Sequence, residues 1–173
     1  RECTYPVESV MDARRARTLL GEFPLAEWLF ADVTGGDLFW DVGAFHGHYS
    51  AIAANWGCAI RAFEPHPSNR DRLHRTLELN GRGAGHPGVA VDERALSATH
   101  GTVRFGGPSS SECGVGETDS AGVYREIETV PGDDILELPD LVKVDVEGHE
   151  AAVLDGMAET LEHVDRTLVE VHA

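Results

Sequence analysis

The stretch DLFWDVGAFHGHYSAIAANWG, residues 37–57, constrains the fold more than any other part of the chain. A short apolar run from Leu38 to Val42 meets a loop containing Gly43 and Gly47, and an alanine-rich helical pattern follows from about Tyr49 to Trp56. An apolar run bounded by turn residues reads as a strand buried on both faces, and a helix directly after it serves as the crossover to a parallel neighbour. CAIRAFEP, residues 58–65, repeats the strand pattern. Pro65 or Pro67 then opens a helix that runs through Leu73, Leu77 and Leu79 to a stop at Asn80 and Gly81.

The remaining pattern predicts strands at Val89 to Val91, 102–105, 141–146 and 167–171, with Tyr124 to Val130 returning as an antiparallel strand. Helices are expected near Asp133, from about His149 past Leu154, and from Ala158 to His163. This alternation predicts an α/β fold with a mostly parallel sheet and helices on both faces, in which ligands bind outside the carboxyl ends of the strands. Residues 8–30 carry Val10, Ala13, Leu19, Leu20, Leu25, Trp28 and Leu29 amid charges, which reads as one or two amphipathic helices separated at Gly21 to Pro24. A chain of 173 residues suits a single domain, 1–173, with 1–36 as a helical extension. The segment from Gly106 to Ala121, rich in Gly, Ser and acids, is the expected mobile loop; Ser109, Ser110 and Ser111 are either a lid over an acceptor or plain surface.

Thirty acidic residues against fourteen basic ones, a net charge of -16, oppose nucleic-acid and anionic-membrane partners and leave small molecules open. Cys3, Cys58 and Cys113 are widely spaced without a CxxC pair, so neither a disulfide scaffold nor a thiolate zinc site is expected, and a reducing, cytoplasmic setting fits. No apolar run reaches the roughly 18 residues of a membrane span.

Two stretches suit a nucleotide-like cofactor. In DVGAFHGHYS, Asp41 closes the strand, the glycines permit close approach, and the next helix presents unpaired N–H groups; the alternative is a purely structural turn. The dinucleotide fingerprint GxGxxG is incomplete. In AFEPHP, Glu64 stands where a second strand ends, placed either to take two ribose hydroxyls or to cap the following helix. His46, His48 and His66 do not have the spacing of a metal site, and no metal is expected.

These pieces resemble the FkbM-type methyltransferase family. The resemblance is carried by FWDVGAFHGHYS at 39–50, AFEPHPSNRDRLHRTLELN at 62–80, ALS at 95–97, LVKVDVEGHEAAVLDGM at 141–157 and VEVH at 169–172. It implies a Rossmann-like methyltransferase fold and S-adenosylmethionine as cofactor; of the antiparallel strand pair that usually follows the fifth strand, either the pair is lacking or the strands at 102–105 and 124–130 add to the sheet elsewhere. By that resemblance Asp41, Gly43, Ala44 and Gly47 surround the methionine part and Glu64 takes the ribose. Asp92 and Glu93 stand near the adenine end, and Ala95 borders the pocket. Where the family commonly has Asn after DVGA, this chain has Phe45, which removes an amide from the loop.

LVKVDVEGHEAAVL, residues 141–154, holds the only lysine of the chain. Alternation puts Val142, Val144 and Val146 on one face and Lys143, Asp145 and Glu147 on the other, so the two acids belong at or beyond the carboxyl end of the strand. Lys143 lies deeper and needs an acidic partner. Asp145, Glu147 and His149, in that order, are the candidate bases for a hydroxyl acceptor, with Asp145 also facing the cofactor, and Lys143 orients a carboxylate or steadies oxygen charge. Glu170 and His172 close the acceptor side or form a plain strand rim. The expected activity is O-methylation of a sugar, lipid or secondary-metabolite hydroxyl; the alternatives are a nicotinamide-dependent oxidoreductase and a noncatalytic cofactor-fold scaffold. An exposed sheet edge would allow a homo-oligomer.

Overall fold

A computed structural model describes residues 2–7, 10–83, 85–106, 114–115 and 125–172. Its centre is a five-stranded, all-parallel sheet in the order β3-β2-β1-β8-β9, built from β1 (Leu38–Val42), β2 (Ala59–Phe63), β3 (Val89–Asp92), β8 (Leu141–Val144) and β9 (Arg166–Val169). The helices are α1 (Val10–Leu29), α2 (His48–Trp56), α3 (Pro67–Leu79), α4 (Glu150–Asp155) and α5 (Ala158–Leu161). The chain leaves β1 in one direction to β2 and β3 and returns on the other side through β8, so the order reverses between β1 and β8. That reversal opens a crevice at the carboxyl ends of those two strands.

Alternate residues of each strand feed two cores. Phe39, Ile60, Ala62 and Leu141 face α1, α2 and α3, where they meet Leu29, Phe30, Ala53, Leu73 and Leu77. Trp40, Val42, Phe63, Val142 and Val144 face the opposite way, onto Leu96, Val130, Val153 and Met157. Both faces are therefore apolar in mid-strand, as a doubly covered sheet requires. The exception lies on the α2 side, where Asp41 and Lys143 are register partners on adjacent strands.

Of the one or two helices read over residues 8–30, one forms, continuous from Val10 to Leu29 with Pro24 inside it. Ala26, Leu29 and Phe30, not Leu25 and Trp28, enter the core; the last two remain about half exposed. The strands at 102–105 and 124–130 do not extend the central sheet. β5 (Gly101–Gly106) and β7 (Arg125–Val130) pair antiparallel and, with β4 (Ala95–Leu96) and β6 (Gly114–Val115), form a second sheet in the order β4-β7-β5-β6. Two-residue strands such as β4 are too short to leave a periodic signal. Finally, β8 ends at Val144 rather than 146, because the backbone turns away where Glu147 adopts a positive φ of 51° and Gly148 one of 91°. Ser109, Ser110, Ser111, Cys113 and most of the 106–121 loop lie outside the described residues. Among the described residues no helix is long and apolar enough to cross a membrane.

Candidate functional site

The loop after β1 and the turn after β8 touch across the crevice. Gly43 has a φ of 78°, and a Cβ there would lie 1.8 Å from the Asp145 carbonyl oxygen, so only glycine permits this approach. The Asp145 N–H donates to the Val42 carbonyl at 3.0 Å, and the Glu170 N–H donates to the Val144 carbonyl at 2.9 Å. Beside these contacts lies a cavity of about 350 Å³ lined by Asp41, Gly43, Ala44, Phe45, His48, Tyr49, Lys143, Asp145, Glu147 and Glu170, with Thr18 and Glu22 contributed by α1. The size is that of a small-molecule site.

Charge inside this cavity is organised around Lys143, which is only 6% exposed. Its ammonium donates to Asp145 Oδ2 at 2.9 Å and lies 5.1 Å from the centre of the Tyr49 ring. Burial disfavours its charge, yet Asp145, Asp41 and Glu170 together hold its pKa above the ordinary lysine value. Asp41 is buried to 1% exposure; Ser50 Oγ donates to its Oδ2 at 2.6 Å, while Oδ1 has no hydrogen-bond partner. Burial raises the Asp41 pKa against the pull of Lys143 and Ser50. Glu22 is likewise raised, first by burial and then by the like charge of Glu170. An orphaned acceptor at a strand terminus, beside a glycine that lets two backbones meet, fits the cationic end of an amino-acid-bearing cofactor.

Glu64 closes β2 behind this loop. Its Oε2 accepts the Phe45 N–H at 2.8 Å, and its Oε1 accepts the His66 N–H at 2.8 Å and the Asn69 amide at 3.3 Å. Phe45 holds a positive φ of 51°, a conformation to which asparagine is better suited than an aromatic residue, and its ring stacks on His46 at 3.5 Å. Burial pushes the Glu64 carboxyl up to about 7, against the pull of those N–H donors. The folded pKa lies above the unfolded one of 4.5, so the stability tied to this proton is fully present below about 4.5 and is lost as pH rises through about 7. Glu64→Gln should start from lower stability, since its amide NH₂ turns toward a backbone N–H. It should also flatten the fall by about 1–3 kcal/mol in urea unfolding measured from pH 4.5 to 8. A variant with the wild-type slope would contradict this.

Not every expected residue converges here. Gly47 packs α2 onto α3, where a Cβ would lie 2.4 Å from Leu73 Cδ1. The Asp92 carboxylate is taken by Arg94, at 2.9 and 2.6 Å, and Glu93 pairs with Arg70 at 3.1 Å; the two acids line a separate cleft with His74 and Glu128. Ala95 opens β4 in the second sheet. His149 bonds Ser97 Oγ at 3.0 Å through Nε2 and is not among the residues lining the Lys143 cavity. His46, His48 and His66 do not form a ligand group among the described residues, whereas Asp145, Glu147 and His172 do. Sequence reasoning missed Thr18, Glu22 and Tyr49. Only Tyr49 carried a signal, as the second helical residue after the glycine loop.

A family model described as the methyltransferase FkbM domain matches residues 41–173. The chain is 34% identical over 175 residues to hexuronic acid methyltransferase AglP of Haloferax volcanii, covering 98% of this chain and 70% of that protein. Its fold is similar to a crystal structure of methyltransferase FkbM from Methylobacillus flagellatus, with a TM-score of 0.59 and 18% identity over 80% of this chain; the chain spans 34% of that protein's length.

Proposed function

The chain belongs to the FkbM methyltransferase family, and we propose that it moves a methyl group from S-adenosylmethionine to an oxygen of a sugar acid of the hexuronate class. The observation that carries the reading is the cavity at the β1/β8 reversal, where Asp41, Gly43 and Ala44 meet the Lys143–Asp145 pair. The substrate class is favoured by the 34% identity to a hexuronic acid methyltransferase.

The cofactor supplies a methyl carbon on a positively charged sulfur, which departs as a neutral thioether when an acceptor oxygen displaces it. Asp41, Gly43 and Ala44 would hold its amino-acid part, the Asp41 Oδ1 taking an N–H donor. Glu64 would take its ribose hydroxyls, which requires the Phe45 N–H to yield a carboxylate oxygen. Asp145, one oxygen tied to Lys143, keeps the other for the proton of an acceptor hydroxyl. Lys143 fixes that carboxylate and tempers the charge around it. Glu147 and Glu170 line the same cavity.

The test is transfer of labelled methyl from S-adenosylmethionine to free and glycosidically linked hexuronic acids, with neutral hexoses alongside. Label should enter the sugar acids and not the neutral sugars. Label in the neutral sugars alone would overturn the substrate class, and label in no acceptor of a panel extended to lipid and aromatic hydroxyls would overturn the activity.

A further inference from the structure

The cavity presents a difficulty for an anionic acceptor. Its lining holds five carboxylates, from Glu22, Asp41, Asp145, Glu147 and Glu170, against the single ammonium of Lys143, which is already engaged with Asp145. Two of these acids, Asp145 and Glu147, meet His172, which is not itself a lining residue: one donor atom from each of the three lies within 4.8 Å of the others. His172 Nε2 is 3.6 Å from Glu147 Oε2 and 4.0 Å from Asp145 Oδ1, while Asp145 faces Lys143 through its other oxygen, Oδ2.

The orientation of His172 is set from outside this triad. Its Nδ1 lies 2.9 Å from Oε1 of Glu150, a carboxylate only 7% exposed that also accepts the Gly148 N–H at 3.0 Å. A carboxylate accepts, so Nδ1 donates; the acids around the ring favour its charged form, and once a metal ion displaces the second proton the Nε2 lone pair faces Asp145 and Glu147. This carboxylate–histidine arrangement is the one that prepares an imidazole to ligate a metal.

We propose that Asp145, Glu147 and His172 bind a divalent cation of the Mn²⁺ or Zn²⁺ kind, with open positions for a carboxylate oxygen and a neighbouring hydroxyl of the acceptor. One nitrogen and two carboxylate donors match the borderline ions in this range better than Mg²⁺ or a thiophilic metal. Bonds of about 2.0–2.2 Å place neighbouring donors about 3 Å apart, so the side chains draw in by about an ångström on binding. The cation neutralises the acid excess where a sugar acid must enter, and with Oδ1 of Asp145 as its ligand it acidifies a coordinated hydroxyl itself, the proton passing to water instead of to Asp145. Only this acceptor role rests on the methyl-transfer reading; the cation site stands without it.

The test is titration of chelator-stripped full-length chain with Mn²⁺, following the free ion by electron paramagnetic resonance, without cofactor. Molar KCl should be present to screen diffuse attraction to the acidic surface. One saturable site is expected, weakened tenfold or more by His172→Ala and by Glu147→Gln and about tenfold by Glu150→Gln. Glu78→Gln, on the exposed face of α3, should leave it unchanged. No saturable site, or one that His172→Ala and Glu147→Gln both leave within about twofold of wild type, overturns the proposal. Calorimetric titration of S-adenosylmethionine on the same samples separates the two failures, since loss of cofactor binding with an intact Mn²⁺ site would end the methyl-transfer reading alone.

Discussion

Lys143→Met is expected to lower the unfolding free energy by about 3–5 kcal/mol, because it removes one partner of a buried charge group rather than the whole group. Lys143 and Asp41 are register partners on β8 and β1, and both are almost fully buried. Methionine fills much of the lysine volume, so the loss is chiefly electrostatic. Asp41 then keeps Ser50 as its hydrogen-bond donor but faces no cation, and its pKa, already raised by burial, rises further. The deficit should be smallest at acid pH, where Asp41 carries a proton, and grow as the carboxyl ionises. Lys143→Met with Asp41→Asn should recover part of the loss. Urea denaturation of the single and double variants reads this directly, and a single variant as stable as the wild type would show that Lys143 is dispensable to the fold.

The second large effect falls on turnover. In chelator-stripped samples Asp145→Asn should reduce kcat for a hydroxyl acceptor by about 10²–10⁴-fold while leaving the cofactor affinity within a few-fold of wild type. The side-chain amide keeps an oxygen for the Lys143 ammonium, and the Asp145 N–H still donates to Val42, so the turn after β8 holds its place. What is lost is a group that takes a proton as the acceptor oxygen attacks. A fall in kcat with little change in KM would be the signature, and a variant of wild-type kcat would remove Asp145 from the chemistry. Carboxylate acceptors carry no such proton, so the same variant separates methylation at a hydroxyl, which needs the base, from methylation at a carboxylate.

The parallel sheet was legible because β1, β2 and β8 are buried on both faces and therefore read as apolar runs with a glycine or acidic stop. The pairing of Lys143 with an acid followed from the cost of burying a lone charge, and Asp145 is that partner. The second sheet was not legible, since β4 and β6 have two residues each and are defined by their neighbours. The phase of α1 was misread for a related reason: its side chains partition according to how it lies on β9, and Pro24 does not end it. At the site, side chains near one another in sequence were easier to place than those brought together by topology. Asp41, Gly43 and Asp145 were within reach of motif reading. Glu22 from α1 joins them only because its element flanks the same end of the sheet.

Gly47 and His149 illustrate the opposite error. Both lie beside motif residues in sequence, yet Gly47 serves the packing of α2 on Leu73, and His149 turns toward Ser97 of the second sheet. Each lies five residues beyond the end of its strand, Val42 or Val144, past the turn that follows, so adjacency in a motif does not put a side chain in the cavity.

The central claim is that the crevice between β1 and β8 receives S-adenosylmethionine, and calorimetric titration of the purified chain with S-adenosylmethionine and with NADH tests it most directly. The account predicts one S-adenosylmethionine site per chain, lost in Gly43→Val, where the added side chain would drive into the Asp145 carbonyl, and no saturable binding of NADH. Saturable NADH binding with none for S-adenosylmethionine would contradict it.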